Sequence, residues 1–446
     1  ANRPWDETVR GMLSADGSTA TNGATGYLLR DTGMPLDSLS NTLTVFLGAN
    51  VSCAQCHDHP LADWTQREFY EMAAFFGATD VSYRDPRKVG NRIKAHADLT
   101  KQDGATVFSP SMHRIRDTGK NTLIYPEDYA YDDVKPGSKV LPRLIIWDLA
   151  DHKGPAYQVD LTNTHTLRDS FASWLTHPTN PRFAANIANR MWKQMFGIAV
   201  HEPIYDLDDL TKSSHQELLT DLARLVVALK FDLREFQRVV FNTHAYQAEA
   251  NSTPAIGDIG SYLFAGPVLR RMTAEQAWDS ILILAFGPGI DQFRVDRSHQ
   301  TTRFALDFDA IESRDEVLQE MALSFKKAGY ISGGSRNRLS EKDLAGPGMM
   351  PQKFGRSYVL RASELPQPEA DTHFLRMFGQ SSRDIANDGS REGSIPQTLM
   401  LMNGRFKELL MSSESRLMKA VRRTESTEGS LDKIYLNFFG RLPAAD

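Results

Sequence analysis

Two cysteines and a histidine form the stretch of this chain whose residue types and spacing point most directly to chemistry. Residues 51–76 read VSCAQCHDHPLADWTQREFYEMAAFF and contain the only two cysteines of the chain, Cys53 and Cys56, followed by His57. In a C-x-x-C-H pattern, both thiols add to the vinyl groups of a haem, and the adjacent imidazole becomes the proximal iron ligand. Two intervening residues let both sulfur atoms reach one porphyrin edge. The pattern predicts one covalently attached haem c.

Three other interpretations of the same residues stay open. A C-x-x-C pair can form a redox disulfide, although no βαβ pattern surrounds this one. It can be half of a zinc site, which would need His57 or His59 and a ligand from a distant part of the chain. The thiols can also be inert, because such a motif can occur by chance in 446 residues.

Helices are predicted on both sides of the motif, where they would position it. Leu43, Phe46 and Leu47 recur at helical spacing before the motif. After it, Thr65-x-x-Glu68 is a capping box, which is typical of a helix start. The apolar stripe of this second helix, which a haem or a core could cover, consists of Phe69, Met72, Ala73 and Phe76.

The motif and several later blocks resemble a known family. CAQCHDHPLADWTQREFYEMAAFF resembles the signature of the planctomycete-type cytochrome c-like domain. The blocks that resemble the helical domain of unknown function usually following it are NRMWKQMFGIAVHEPIYDLDDL, SHQELLTDLARLVVALKFDLREFQRVVFNTHAYQ, RRMTAEQAWDSIL and SIPQTLMLMNGRF. The resemblance extends from about Pro4 to about Pro443 and is weak near 80–160 and 287–370.

The resemblance implies a haem protein rather than a defined reaction. Family members are often suspected of roles in breaking down complex polysaccharides, so a carbohydrate-related substrate and a redox partner protein are expected. Members often carry more sequence before the point where this chain begins, so we expect a fragment of a longer secreted protein. Covalent haem attachment takes place outside the cytoplasm, and this predicts an extracytoplasmic location, in the periplasm or secreted.

Composition sets broad limits on the class of protein. A length of 446 residues predicts several domains at about 150 residues each. Hydrophobic content of 41% and charged content of 24% are typical of globular proteins. The net charge of −5 lacks the excess of positive charge that is typical of nucleic-acid-binding proteins. No apolar run approaches the ~18 residues of a membrane span. The sequence does not fix the oligomeric state, and an oligomer is compatible with it.

The predicted fold is mostly α, in two parts. Residues 1–165 form a helical haem-motif domain, in which residues 77–165 are a loop-rich cover with short strands near 122–125 and 139–146. Prolines and glycines interrupt this cover throughout. Residues 166–446 form an α-helical, bundle-like domain of unknown function. We expect the two parts to pack together, because no Gly/Ser-rich linker of useful length separates them.

The predicted cover contains the candidates for a sixth iron ligand. His or Met is the residue type that this position takes. The candidates are Met112, His113, His152 and His165, and an open sixth position is the alternative. A histidine in a polar loop is more often a surface residue, so each candidate also has this simpler interpretation.

Capping signals predict the helices of the second part. Pro181 follows Asn180 at a helix start, and Gly197 occupies a C-cap position. The other predicted starts are Ser214-x-x-Glu217, Asp232-x-x-Glu235, Thr273-x-x-Gln276, a helix near 314–327 and a helix near Pro396.

Two polar stretches could form further sites. Asp206, Asp208 and Asp209 in YDLDDL could bind calcium, but EF-hand spacing is absent and helix capping explains the loop more simply. RDIANDGSRE, residues 383–392, could be a polar site or an ion-pair network. G-x-S-x-G, P-loop and H-E-x-x-H motifs are absent. Two functions remain: electron transfer or haem redox chemistry, as in a haem-dependent oxidoreductase, and a non-catalytic, haem-stapled structural subunit of a larger complex.

Overall fold

The computed structural model divides the chain into two compact units, each with its own hydrophobic core. Unit 1 holds the described residues up to Leu269, and unit 2 holds those from Arg270 onward. The residues that the structure describes are 2–18, 22–31, 33–83, 113–145, 167–207, 215–250, 262–292, 353–354, 357–358, 360–365, 367–381 and 392–444. The division predicted between residues 165 and 166 stays a prediction, and unit 1 contains residues on both sides of it.

Unit 1 is built mainly from α-helices. Those before and directly after the motif are α1 (Trp5–Leu13), α2 (Gly26–Leu29), α3 (Pro35–Leu47) and α4 (Gln66–Ala73). The later ones are α5 (Leu167–Leu175), α6 (Pro181–Phe196), α7 (Gln216–Ala228), α8 (Leu233–Phe241) and α9 (His244–Gln247). The predicted mostly α fold class is confirmed for the described residues.

Local capping fixes the ends of the helices nearest the motif. Thr65 and Glu68 form the predicted capping box at the start of α4, each side chain accepting from the backbone N–H of the other. The Asn180 side chain accepts from two backbone N–H groups at the start of α6, with Pro181 in the first turn. Gly197 ends α6 in a left-handed conformation, φ 91°, which favours glycine.

One predicted helix start differs in the structure. The helix predicted from Ser214-x-x-Glu217 begins at Gln216, with His215 at the N-cap and no side-chain cap. The His215 ring instead lies 2.9 Å, through Nε2, from the carbonyl of Tyr262. Ser214 lies outside the described residues, as does the helix predicted near 314–327.

A small antiparallel sheet lies beside the helices of unit 1. Its strand order is β1 (Gly17–Ser18), β3 (His113–Asp117), β2 (Thr79–Tyr83). Ile115 pairs with Gly17 on one side and with Val81 on the other. The Ile115 side chain is fully buried, so the central strand joins the core.

The described residues after β3 contain a bridge where the sequence predicts strands. Ile124 and Lys139 form one isolated antiparallel bridge, and residues 122–125 and 139–145 are otherwise irregular. Pro126, Pro136 and Pro142 follow or interrupt these pieces, and proline has no N–H to contribute to a ladder. In the described residues, the two predicted strands are therefore reduced to this one bridge.

Helix α5 packs against the chain that follows α4. The Phe171 ring centroid lies 5.6 Å from that of Phe75, 5.0 Å from that of Phe76 and 5.5 Å from that of Trp174. Trp174 Nε1 donates to the carbonyl of Ile145 at 3.0 Å. The helix after residue 166 thus contacts both the motif-bearing segment and the segment 121–145.

Two long-range contacts hold α1 in place. The N–H of Trp5 donates to the carbonyl of Phe231 at 3.0 Å. The buried Arg168 donates to the carbonyl of Ala15 at 2.6 Å, and its Nε lies 3.9 Å from a carboxylate oxygen of Asp117. The start of α1 is thereby tied to Phe231, and the residues just after it are tied to Arg168.

Unit 2 is also mainly helical in its described residues. Its elements are α10 (Ala274–Phe286), β4 (Lys353–Phe354), β5 (Ser357–Tyr358), α11 (Phe374–Met377), α12 (Ile395–Asn403), α13 (Arg405–Met411), α14 (Arg416–Arg422) and α15 (Thr427–Phe439). The predicted capping box of Thr273 and Gln276 is confirmed at the start of α10. Trp278 of α10 lies in the core and donates from Nε1 to the carbonyl of Leu360 at 2.8 Å. Among the helices described in both units, none is long and apolar enough to cross a bilayer.

Candidate functional site

The C-x-x-C-H motif forms a 3₁₀ turn, Ser52–Gln55, at the surface of unit 1. Cys53 and Cys56 are free cysteines with exposed side chains, and His57 is also exposed. Ala54, between the cysteines, is fully buried in the core. The N–H groups of Cys56 and His57 both donate to the carbonyl of Cys53, at 3.2 and 3.3 Å. One anchored turn therefore presents two thiols and an imidazole at the surface.

The backbone holds the His57 ring in one tautomer. Its Nδ1 lies 2.7 Å from the carbonyl oxygen of Asp58. A carbonyl oxygen only accepts hydrogen bonds, so Nδ1 carries the proton and donates. The lone pair of the neutral ring is then on Nε2. Histidines that ligate metals usually have their other ring N–H fixed in this way, by a carbonyl, a carboxylate or a water.

Asp58 connects the motif turn to two other parts of unit 1. Its N–H donates to the hydroxyl of Tyr131 at 2.8 Å. Its Oδ1 accepts from the N–H of Gln66, the first residue of α4, at 2.8 Å. Its carbonyl oxygen is the group that accepts from His57. The orientation of the imidazole is thus coupled to α4 and to the segment 121–145.

The buried side chain of Gln66 bridges the same three parts. It is 1% exposed, and its Nε2 donates to the carbonyl of Gln55 at 3.3 Å. Its Oε1 accepts from the N–H of Ala130 at 3.1 Å. A single amide therefore joins the motif turn, the start of α4 and the segment 121–145.

His59 has a structural role in the turn that follows the motif. Its Nδ1 accepts from the N–H of Leu61 at 3.2 Å, and its own N–H donates to the carbonyl of Trp64 at 2.7 Å. The ring is therefore engaged with the backbone immediately after Pro60.

Replacement of Gln66 by leucine is expected to loosen the motif turn. The change keeps the apolar volume but leaves the Gln55 carbonyl and the Ala130 N–H without their partner. The free energy of unfolding of unit 1 should fall by about 1–3 kcal/mol. Urea denaturation gives the energy, and amide hydrogen exchange of residues 53–58 reports the local loosening.

Gln216→Leu is the matched control, because Gln216 is also the first residue of a helix but its side chain is exposed. It should change stability by no more than about 0.5 kcal/mol. Equal effects of the two substitutions, or unchanged exchange in residues 53–58, would contradict a bridging role for Gln66.

Two family models match the sequence. The model described as PSD1, protein of unknown function (DUF1553), matches residues 167–446, which is more than half of the chain. The chain belongs to the PSD1 family. The second model, PSCyt2, protein of unknown function (DUF1549), matches residues 1–81 of this PSD1 chain and includes the C-x-x-C-H turn. Comparisons with curated proteins and with solved structures gave no match.

The family match confirms the coarser part of the sequence-based resemblance. The two domains are the ones associated with planctomycete cytochrome c, in the order expected. Both family descriptions state an unknown function, so haem attachment at Cys53, Cys56 and His57 stays a prediction.

The zinc-site and disulfide interpretations of the motif gain no support from the side chains that the structure describes. Among them, no three His, Cys, Asp or Glu residues converge to hold a metal ion. Cys53 and Cys56 are not joined in a disulfide.

The candidate sixth ligands are largely outside the described part of the PSD1 chain. Met112, His152 and His165 lie outside the described residues. His113 is the first residue of β3, where its backbone pairs with Tyr83, and its side chain is not described. The assignment of a sixth ligand stays a prediction.

The two polar stretches are described only in part. Asp206 accepts from His201 Nε2 through its backbone carbonyl, at 2.9 Å, and Leu207 donates from its N–H to the carbonyl of Gly48 at 2.6 Å. Asp208 and Asp209 lie outside the described residues, so calcium binding stays untested. Of residues 383–392, only Glu392 is described.

A separate apolar cleft of about 470 Å³ lies between α6 and α7. Ala184, Ala185, Leu219 and Val227 contribute to its walls, with Arg224 among the polar lining residues. Sequence reasoning did not predict this cleft, because it depends on how two helices pack. None of the motif residues lines it.

Proposed function

We propose that this PSD1 family member is an extracytoplasmic c-type haem protein with an electron-transfer or haem-redox role. One observation carries the proposal: the two thiols and His57 share one anchored surface turn, and the His57 Nδ1–H donates to a carbonyl so that Nε2 has a free lone pair. This donor set fits a covalently attached haem.

The residues of the motif would have separate roles. Cys53 and Cys56 would form the two thioether bonds, and His57 would ligate iron through Nε2. Asp58 keeps the imidazole in the ligating tautomer, and Gln66 holds the turn on α4. When bound, the haem supplies one-electron exchange, or ligand binding if its sixth position is open.

The location and partners follow from the same proposal. Covalent haem attachment places the chain in the periplasm or outside the cell. An electron-transfer role requires a redox partner protein. The resemblance to proteins suspected of roles in breaking down complex polysaccharides favours a carbohydrate-related substrate for the longer protein.

Covalent haem is the outcome that tests the proposal. We expect wild-type protein, expressed with a cytochrome c maturation system, to keep its haem under denaturing electrophoresis and to show one added haem by intact mass spectrometry. The double substitution Cys53→Ala with Cys56→Ala should lose that mass completely, because no thioether can then form.

Ser52→Ala is the matched control on the same turn. Ser52 is exposed and its hydroxyl donates to the Asn50 side chain at 3.0 Å, so its removal leaves both thiols and the imidazole in place. This variant should keep its haem. A wild-type protein that carries no haem mass after maturation would reject the proposal and favour the metal or disulfide interpretations.

A non-catalytic, haem-stapled assembly subunit is the second candidate function. Large apolar side chains of unit 2 are exposed in its described residues, including Ile395 at 77% and Phe439 at 64%. Where such side chains form a contiguous patch, the patch marks a contact surface. A haem that no donor reduces, together with self-association in sedimentation experiments, would favour this function over electron transfer.

A further inference from the structure

Four tyrosine rings form a continuous array next to the motif turn. Tyr70 lies on α4, and Tyr125, Tyr129 and Tyr131 lie in the segment 121–145. Their ring centroids are 5.7, 5.3 and 6.0 Å apart in the order Tyr70–Tyr125–Tyr129–Tyr131. These are contact distances for aromatic pairs. Electron transfer between aromatic rings slows steeply with distance, so rings in contact exchange electrons readily.

The Tyr131 end of the array contacts the candidate haem site. The hydroxyl of Tyr131 accepts from the N–H of Asp58, the residue that holds the His57 ring. At the other end, burial raises the pKa of Tyr70. Tyr131 is 38% exposed, whereas Tyr70 is buried, so the array runs from the surface into the core.

Tyr129 has a proton acceptor in place. The ring is 8% exposed, and its hydroxyl donates to Oδ1 of Asp133 at 3.0 Å. Burial and Asp133 both raise the pKa of Tyr129, so the phenol is neutral and protonated in the resting protein. Oδ2 of Asp133 also lies 3.6 Å from Nη1 of Arg67. Packing alone would not require the hydroxyl, because a phenylalanine ring fills nearly the same space.

We infer that the tyrosine array is a one-electron redox site, with Tyr129 as the residue that holds the radical. A one-electron oxidant takes an electron from the array at Tyr131. The electron deficit moves through ring contacts to Tyr129. The Tyr129 phenol proton passes to the Asp133 carboxylate along their hydrogen bond. The products are a neutral tyrosyl radical, a protonated Asp133 and the oxidant reduced by one electron.

This inference goes beyond the proposed haem function and stands on different residues. The array is defined by its own ring contacts and by the Tyr129–Asp133 hydrogen bond. If the haem is present, the array gives it a nearby store for one electron equivalent. The oxidant in the test is therefore supplied from outside and does not depend on the haem.

The experiment uses photogenerated tris(bipyridine)ruthenium(III), with persulfate as the terminal electron acceptor, on the full chain. Electron paramagnetic resonance after rapid freezing should show a long-lived tyrosyl radical in the wild type, because a buried ring is shielded from other radicals. Tyr129→Phe should lose this signal. Asp133→Asn, which keeps the ring but removes the proton acceptor, should also lose it.

Tyr246→Phe is the matched control. The Tyr246 ring is partly buried and contacts phenylalanine rings, Phe196 and Phe241, rather than other tyrosines. This variant should keep the wild-type signal. A signal unchanged in Tyr129→Phe, or lost equally in Tyr246→Phe, would overturn the inference. Circular dichroism of each variant checks that a lost signal does not come from unfolding.

Mass spectrometry separates this test from that of the haem proposal. A protein without covalent haem but with a Tyr129-dependent radical would contradict the proposed function and support the array. A protein with covalent haem but no Tyr129-dependent radical would support the proposed function and overturn the array.

Discussion

Replacement of Arg168 by methionine is expected to lower the free energy of unfolding of unit 1 by about 3–5 kcal/mol, because it removes the cation of a buried ion pair. Arg168 is 4% exposed. It lies 3.9 Å from Asp117 and donates to the carbonyl of Ala15 at 2.6 Å. Methionine keeps the apolar stem, so the change removes the charge and the donors rather than the packing.

Electrostatics explain the size of this effect. Burial lowers the pKa of Arg168, while the carboxylates of Asp117, Asp16 and Asp169 raise it again. Without the guanidinium, the Asp117 carboxylate loses the buried cation 3.9 Å away but still accepts from the N–H of Gly119 at 2.9 Å. The charged form of a buried carboxylate is disfavoured when a nearby positive charge is removed.

Urea denaturation measures this prediction, with hydrogen exchange of α1 and α5 to assign the transition to unit 1. Arg224→Met is the control, because the pair of Arg224 with Asp221 has side chains 76% and 71% exposed. Such surface pairs contribute at most about 1 kcal/mol. The double substitution Arg168→Met with Asp117→Asn should restore part of the free energy of unfolding that Arg168→Met alone removes. The prediction fails if Arg168→Met lowers the free energy of unfolding no more than Arg224→Met does.

Phe171→Ala is expected to destabilise unit 1 by about 3–5 kcal/mol, because it opens a cavity in a fully buried aromatic cluster. The Phe171 side chain is fully buried and contacts Phe75, Phe76 and Trp174. Phe75 and Phe76 directly follow α4, which starts at Gln66 beside the motif turn. The cavity should therefore increase hydrogen exchange in α4 as well as in α5.

Phe241→Ala provides the comparison for this prediction. The Phe241 ring is 38% exposed and contacts Tyr246 at the surface of unit 1. Removal of this ring should lower the free energy of unfolding by about 1 kcal/mol, since little new cavity forms. Thermal or urea unfolding of both variants gives the difference. Similar losses for Phe171→Ala and Phe241→Ala would show that α5 is not the element that braces the motif segment.

Signals that act within a few residues were predictable from the sequence. The capping boxes at Thr65 and Thr273 and the helix end at Gly197 were all found where the sequence indicated them. The capping boxes depend on side chains that reach backbone groups one turn away, and the helix end depends on the left-handed backbone that glycine adopts easily. The start of α7 was not predictable, because His215 is engaged with Tyr262, 47 residues later.

Contacts between distant residues were beyond sequence reasoning, in the fold and in the candidate site. The motif itself was found from residue type and spacing. The hydrogen bonds that hold the motif turn in place were not predictable, because Gln66 and Ala130 are separated by 64 residues, and Asp58 and Tyr131 by 73. The alternation near 122–125 indicated a strand, but the pairing that makes a strand depends on a partner elsewhere, and the described residues form one isolated bridge there.

The contact between Trp5 and Phe231 sets an order of events during biosynthesis. The ribosome makes Cys53 and Cys56 long before it makes Phe231, and the Trp5 N–H cannot form its bond until then. Arg168 likewise reaches back 153 residues to Ala15. Pairings of such high sequence separation form late and slowly. For that interval both thiols belong to a nascent, incompletely folded polypeptide, open to enzymes and oxidants alike. Both thiols are also exposed in the folded unit, so the length of the downstream chain sets how long they are accessible before folding, in addition to their access afterwards.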